Sequence, residues 1–109
     1  MPDAASVLLQ RLQAAFETIA PGADPVLRSY VGTSELQLGN LVPARQQFLQ
    51  SVRLDPWTSE SLEALGTIAK DEHEWTESLY WYRRALDVSL DPQHLRIQIR
   101  VDESHLKPT

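Results

Sequence analysis

The chain has 109 residues, of which 42% are hydrophobic and 23% are charged, a balance typical of one small globular domain and not of a disordered segment. Its net charge of −5 argues against nonspecific binding to nucleic acid and against an anionic membrane surface, because both need a basic face. The absence of cysteine excludes disulfides, thiolate metal sites and cysteine nucleophiles, and it fits a cytoplasmic location.

The N-terminal piece predicts one amphipathic capping helix over residues 3–20. Apolar residues recur there at helical spacing, at Val7, Leu8, Leu12, Ala15, Phe16 and Ile19. Asp3 is the expected N-cap, and Ala20-Pro21-Gly22 is expected to end the helix. The first ten residues lack a basic segment followed by an apolar stretch, so we expect no signal peptide.

The dipeptide Asp-Pro occurs three times, at Asp24-Pro25, Asp55-Pro56 and Asp91-Pro92. Proline removes a backbone donor and disfavours helix in the residue before it, so each pair predicts an element boundary. We therefore expect a helical domain over residues 1–92, which contains the capping helix and two units at 25–58 and 59–92. A tail over 93–109 follows.

Each unit predicts two helices joined by a turn. In the first unit, one helix runs from Pro25 to Leu38, Gly39-Asn40 breaks the chain, and a second helix runs from about Val42 to Leu54. In the second unit, the first helix is marked by Leu62, Leu65, Gly66 and Ala69. A turn at residues 71–74 follows, and the second helix is marked by Trp75, Ser78, Leu79, Tyr82, Ala85 and Leu86.

The two units match each other at an offset of 34 residues, without a gap. Small residues face small residues and large apolar residues face large ones, as in the pairs Gly32–Gly66, Ala44–Ser78, Phe48–Tyr82 and Ser51–Ala85. Glycine inside a helix costs up to about 1 kcal/mol relative to alanine, so we expect Gly32 and Gly66 to permit a close approach of neighbouring helices. A period in this range marks stacked repeats.

At these positions the chain resembles the tetratricopeptide repeat, a helix–turn–helix pattern of 34 residues. The matching residues are Gly32, Gly39-Asn40, Leu41, Ala44, Phe48, Leu54 and Pro56 in the first unit, and Leu62, Leu65, Gly66, Ala69, Trp75, Tyr82 and Ala85 in the second. The resemblance implies an all-α fold, with a right-handed stack of two repeats behind the capping helix. The sequence departs from the family at Arg28 and Glu35, where large apolar residues are usual, and at Ser78, where alanine is usual.

The resemblance also implies a function, because first helices of successive repeats line a concave groove in that family. The groove residues that it implies here are Val26, Ser29, Thr33, Leu36, Gln37, Glu60, Glu63, Thr67, Lys70 and Asp71. Some members hold a peptide's terminal carboxylate with basic residues, which this groove lacks, so a neutral or basic segment is the better expectation. The chain is accordingly expected to be a non-enzymatic adaptor, chaperone or assembly factor, without a cofactor, that binds a protein or peptide partner.

The tail changes period, because apolar and polar side chains alternate, the apolar ones being Leu95, Ile97, Ile99 and Val101. Strict alternation with β-branched residues predicts a strand over residues 95–101, since a helix would scatter these side chains around its circumference. The polar residues 102–109 are expected to fray. An unpaired strand seeks an edge partner, so we expect self-association, or pairing with a partner's sheet, through these four apolar residues.

One motif offers an alternative from another class. The segment His73-Glu74-Trp75-Thr76-Glu77 resembles the zinc signature His-Glu-x-x-His, with Glu77 at the second histidine position. Zinc needs three or four converging ligands, and the other histidines, His94 and His105, lie in the tail. We interpret His73 as a solvated turn residue, and a small metal-binding protein or enzyme that uses His73 and neighbouring carboxylates is the alternative.

Charged and aromatic clusters in the second unit have less specific interpretations. An acidic cluster is interpreted as a solvated turn, or else as a weak cation site or a contact for a basic partner; it comprises Asp71, Glu72, Glu74 and Glu77. Trp75, Leu79 and Tyr82 share one helical face and are expected in the core. Trp81 is expected to be either an exposed partner anchor or packed on a neighbour. Nucleic-acid binding is not expected, because it would require one basic face built from Arg83, Arg84, Arg96 and Arg100.

Overall fold

The computed structural model describes residues 3–19 and 24–107, apart from the side chains of residues 13 and 15–19. The described residues form six α-helices and no strand, which confirms the all-α class. The helices are α1 (Ala4–Ile19), α2 (Pro25–Gln37), α3 (Leu41–Leu54), α4 (Ser59–Asp71), α5 (Trp75–Leu86) and α6 (Pro92–Leu106). The predicted end of α1 at residues 20–22, and the predicted inward side chains at positions 15, 16 and 19, lie outside the described residues.

The chain divides into two compact units, Met1–Pro56 and Trp57–Thr109. In the first unit, α1 packs on α2 and α2 packs on α3. In the second unit, α4 packs on α5 and α5 packs on α6. Among the described residues, every helix is too short or too polar to cross a lipid bilayer.

The aspartates that were expected to bound helices do so. Asp24 Oδ1 accepts hydrogen bonds from the backbone N–H groups of Val26 (2.9 Å) and Leu27 (3.3 Å), and Pro25 occupies the first turn, where its missing donor costs little. Asp91 precedes α6 in the same way, again with proline in the first turn. Asp3 accepts a hydrogen bond of 2.8 Å from the Ser6 N–H, and this bond lowers the pKa of the Asp3 carboxyl.

The turn inside the first unit is a glycine-terminated helix end. Gly39 has a φ of 82°, its N–H donates to the carbonyl of Leu36 (3.0 Å), and the N–H of Asn40 donates to the carbonyl of Glu35 (2.9 Å). This pair of bonds is the Schellman arrangement, which satisfies the last carbonyls of a helix and reverses the chain.

The second unit builds the same turn without glycine. His73 stands 34 positions after Gly39 and has a φ of 61°. Its N–H donates to the carbonyl of Lys70 (2.9 Å), and the N–H of Glu74 donates to the carbonyl of Ala69 (2.8 Å). A residue with a Cβ pays about 1–2 kcal/mol in this left-handed region. The hydrogen bonds of the turn hold His73 there against that cost.

The glycines inside α2 and α4 allow aromatic rings to lie against the helix backbone. A Cβ added at Gly32 would lie 2.9 Å from Cε1 and Cζ of Phe48, and a Cβ added at Gly66 would lie 3.0 Å from the ring of Tyr82. Both rings are buried. The expected close approach of the helices is therefore confirmed in each unit separately.

Polar residues inside the first unit find partners within it. Arg28, one departure from the repeat pattern, donates from Nη1 to Gln47 Oε1 (3.0 Å). Glu35, the other departure, is buried, and its Oε2 accepts from Asn40 Nδ2 (2.8 Å). These contacts explain how a charged pair occupies positions that usually hold large apolar residues, since buried polar groups need hydrogen bonds.

The predicted strand over residues 95–101 is wrong, because this segment lies in the middle of α6. Leu95 and Ile99 are one helical turn apart and are buried in the unit, where α6 packs on α5. Ile97 and Val101 lie on the exposed side. The alternating pattern contains an i, i+4 pair, and that pair is the part of the pattern that packing uses.

Two further expectations for the tail are corrected with it. Pairing of Leu95 and Ile99 with a strand of a partner does not fit their position, because both side chains are buried and the backbone donors belong to a helix. Asp102 was expected in a frayed end, but it is fully buried. Ile97 and Val101 are the members of the predicted self-association set that are exposed.

The tight contact at Gly32 predicts that Gly32→Ala lowers the free energy of unfolding by about 1–2 kcal/mol, since overpacking exceeds the gain in helix propensity. Denaturant unfolding followed by circular dichroism measures the change. Thr33→Ala, at the exposed neighbouring position, is the control and should stay within about 0.5 kcal/mol. The cost at Gly32 should shrink in a Phe48→Leu background, and an unchanged cost there would contradict the contact.

The helical structure of the tail predicts unequal effects of two identical substitutions. Ile99 is 8% exposed and Ile97 is 57% exposed. Ile99→Ala should lower the free energy of unfolding by about 2–4 kcal/mol, whereas Ile97→Ala should change it by less than about 0.5 kcal/mol. Thermal and denaturant unfolding measure both, and equal losses would favour the strand.

Candidate functional site

A cleft of about 320 Å³ lies within the second unit, among α4, α5 and α6. We call it the α4 cleft, and its lining residues are Glu63, Thr67, Lys70 and Asp71 of α4, Tyr82 of α5, and His94 and Gln98 of α6. The four residues from α4 belong to the groove that the repeat resemblance implied. Glu60, the fifth groove residue of this unit, is exposed and does not line the cleft.

The base of the cleft is held by a buried carboxylate. Asp102 has 0% exposure, and its Oδ2 accepts a hydrogen bond of 2.7 Å from Ser78 Oγ. The Nζ of Lys70 lies 2.7 Å from Asp102 Oδ1 and also donates to the backbone carbonyl of Gln98 (3.1 Å). Ser78 therefore has a specific task at the position where alanine is usual, because it donates to a carboxylate on α6.

A pair of hydroxyl groups forms one wall. Thr67 Oγ1 and Tyr82 OH are 2.7 Å apart and share a hydrogen bond. Burial raises the pKa of Tyr82 above its ordinary value of 10.0, and the negative charge of Asp102 adds to the increase, while the bond to Thr67 opposes it. The ammonium of Lys70 lies 5.2 Å from the centre of the Tyr82 ring, within the range of a cation–π contact.

The rim of the cleft is a contact between α6 and α4. His94 Nε2 lies 2.7 Å from Glu63 Oε1, and His94 Nδ1 lies 3.7 Å from Asp91 Oδ2. The side chain of His94 is half exposed, so both solvent and a ligand can reach this contact. The rim is thus a solvent-accessible histidine between two carboxylates.

Sequence patterns did not indicate three of the lining residues. Tyr82 was assigned to the core, and it is indeed buried, with its hydroxyl turned to the cleft. His94 and Gln98 belong to the segment interpreted as tail and strand. The signal that finds them is Asp91-Pro92, because a helix that begins there places His94 and Gln98 one turn apart on one face.

The groove residues of the first unit lie outside the α4 cleft. Ser29 is buried, so its side chain is not available to a ligand, and its carbonyl accepts from Thr33 Oγ1 (3.0 Å). Val26, Thr33 and Gln37 are exposed, and Leu36 is half-buried. The first unit therefore contributes exposed members of the predicted groove but not Ser29.

The motif that resembled a zinc signature is arranged around an indole ring. The His73 ring is parallel to the Trp75 ring at a centroid distance of 5.4 Å, and the His105 ring is parallel to it at 3.8 Å. In the part of the chain that the structure describes, no three histidine, aspartate or glutamate side chains converge to hold a metal ion. The histidines here are stacking partners of Trp75.

The remaining aromatic residues of α5 surround an arginine. Trp81 is half-buried, and its Nε1 donates to Glu77 Oε1 (3.4 Å), whereas the neighbouring Tyr80 is exposed. The guanidinium of Arg84 lies 5.6 Å from the Tyr80 ring centre and 5.3 Å from that of Trp81. Trp81 is thus packed on neighbours, and Tyr80 is the more exposed aromatic residue of the pair.

No protein-family model matches this chain, and the search of curated proteins finds no match either.

The raised pKa of Tyr82 predicts a late step in an alkaline titration. Absorbance at 295 nm, taken as the difference between the wild type and Tyr82→Phe, should show tyrosine ionisation above pH 10. A pKa raised in the folded state gives stability that is present below the unfolded value and is lost as pH rises through the folded value. The folded chain should therefore lose stability above pH 10, and a difference transition below pH 10 would contradict the buried hydroxyl.

Proposed function

We propose that this chain is a non-enzymatic protein–protein interaction module of the tetratricopeptide-repeat type that binds a protein or peptide segment in the α4 cleft. The observation that carries the proposal is a convergence. Four residues that the repeat resemblance assigned to a binding groove, namely Glu63, Thr67, Lys70 and Asp71, line one cleft of about 320 Å³. A volume of this size lies at the lower end of the range for ligand pockets.

The contacts within the cleft favour recognition over reaction. Lys70 is paired with Asp102, and Thr67 shares a hydrogen bond with Tyr82. Side chains that hold one another in place present fixed donors and acceptors to a ligand, and such preorganisation lowers the cost of binding. A polar cleft of this kind suits a segment recognised through a few hydrogen bonds.

The repeat signature in each unit gives the proposal independent support. The pairs Gly32–Phe48 and Gly66–Tyr82 stand at the same offset of 34 residues and make the same glycine–ring contact. The turns at Gly39 and His73 share that offset and the Schellman bonds. A chain that repeats both packing and turn fits the repeat class, whose members act as adaptors, chaperones or assembly factors, and a cytoplasmic location fits its lack of cysteine.

The proposal predicts that ligands selected without bias bind at the α4 cleft. A random peptide display library is selected on the wild-type chain, and the enriched peptides are labelled for fluorescence anisotropy. Thr67→Lys, which fills the cleft, should weaken their binding at least about tenfold, or about 1.4 kcal/mol. Circular dichroism verifies that the variant is folded.

Thr76→Lys is the matched control, because Thr76 is an exposed threonine in α5 that does not line the α4 cleft. Peptides that bind this control as well as the wild type, and Thr67→Lys poorly, support the proposal. Equal binding to both variants places the interaction elsewhere and overturns it.

A further inference from the structure

The charges that line the α4 cleft are unequal. Lys70 has only 16% exposure, lies against the Asp102 carboxylate, and donates to a backbone carbonyl. Its positive charge is therefore neutralised within the protein and does not attract an anion. The carboxylates of Glu63 and Asp71 face the same cleft without that compensation, so the described lining is negative whenever His94 is neutral.

The contact at the rim resembles the interaction that a basic ligand would make. His94 Nε2 sits 2.7 Å from Glu63 Oε1, across the space between α6 and α4. Glu63 is 30% exposed at its side chain and is accessible from the cleft. A guanidinium or an ammonium placed in the cleft would reach the same carboxylate, and the adjacent hydroxyl oxygens of Thr67 and Tyr82 are further acceptors.

We infer that the α4 cleft takes one basic side chain of the bound segment, a lysine or an arginine, and that His94 competes with it for Glu63. This inference rests on the proposed function and names the chemistry of its ligand. The basic side chain replaces the histidine at Glu63, lies beside Asp71, and places its apolar stem along the cleft.

Competition by His94 makes the binding dependent on pH. Histidine changes its charge between pH 5 and 8, and the protonated ring is attracted to Glu63 more strongly than the neutral ring. The titratable groups that face His94 are Glu63, Lys70 and Asp71 of α4, Tyr82 of α5, and Asp91 before α6. The carboxylates stay ionised above pH 5 and the lysine and the tyrosine keep their charge states below pH 8, so His94 is the member of this set that changes in the range tested.

The probes are capped tripeptides Gly-X-Gly, in which X is arginine, lysine or citrulline. Citrulline keeps the shape of arginine and removes its charge. Titrations at pH 7.5 follow the amide shifts of Thr67 and Asp71 in nitrogen–proton correlation spectra of the full chain. We expect the arginine and lysine peptides to shift these amides at millimolar concentration, and the citrulline peptide to leave them in place.

Two variants assign the effect to the rim. Glu63→Gln should weaken arginine-peptide binding about threefold to fivefold, as an exposed charge pair implies, and Glu103→Gln, an exposed residue of α6, should not. In the wild type, binding should be about threefold to fivefold weaker at pH 5.5 than at pH 7.5. His94→Gln should remove most of that dependence.

The outcomes separate this inference from the proposed function. Equal shifts with arginine and citrulline peptides, no shifts with either, or a wild-type affinity that does not change between pH 5.5 and 7.5, overturn the inference. Display-selected neutral peptides that still require Thr67 would then leave the proposed function intact. Selected peptides that ignore Thr67→Lys overturn the proposed function, whatever the tripeptides do.

Discussion

The second unit depends on how it accommodates the buried carboxylate of Asp102. Moving a carboxylate out of water costs several kcal/mol, so its partners must be close and well placed. They come from two other helices, since Lys70 belongs to α4 and Ser78 to α5, each 2.7 Å from a carboxylate oxygen. Such a pair adds little net stability compared with an apolar core, but it fixes which faces of the three helices meet. The α4 cleft has its shape because α6 is held in this position.

The two units solve the same packing problem with different polar groups. Both place a ring against a helical glycine and both close the turn with Schellman bonds. In the first unit, the residue equivalent to Ser78 is Ala44, and a different serine, Ser51, donates to the carbonyl of Pro25 (2.7 Å) and ties the end of α3 to the start of α2. The repeat therefore sets the apolar contacts, while each unit has its own polar ones.

The five helices of the first 92 residues could be predicted from the period of 34, the helical spacing of apolar residues and the Asp-Pro pairs, because these are local signals. The tail could not be predicted in the same way. The sequence from Leu95 to Val101 is compatible with periods of 2.0 and 3.6, and the choice between them rests on contacts with α5. Asp102 gave the opposite impression, since aspartate is almost never fully buried unless it is paired, and its partners are distant in the sequence. The α4 side of the cleft followed from the repeat resemblance, whereas His94 and Gln98 required α6 to be recognised as a helix.

The stacking of His105 on Trp75 makes the indole an intrinsic optical probe of the last turn of α6. Trp75 begins α5, and the ring that covers it at 3.8 Å belongs to a residue near the end of the following helix. Fraying of that last turn uncovers the indole to water while the remainder of the unit stays folded, since helix ends open at lower free energy than cores. In a chain whose other tryptophans, Trp57 and Trp81, are replaced by phenylalanine, emission would separate this local opening from global unfolding.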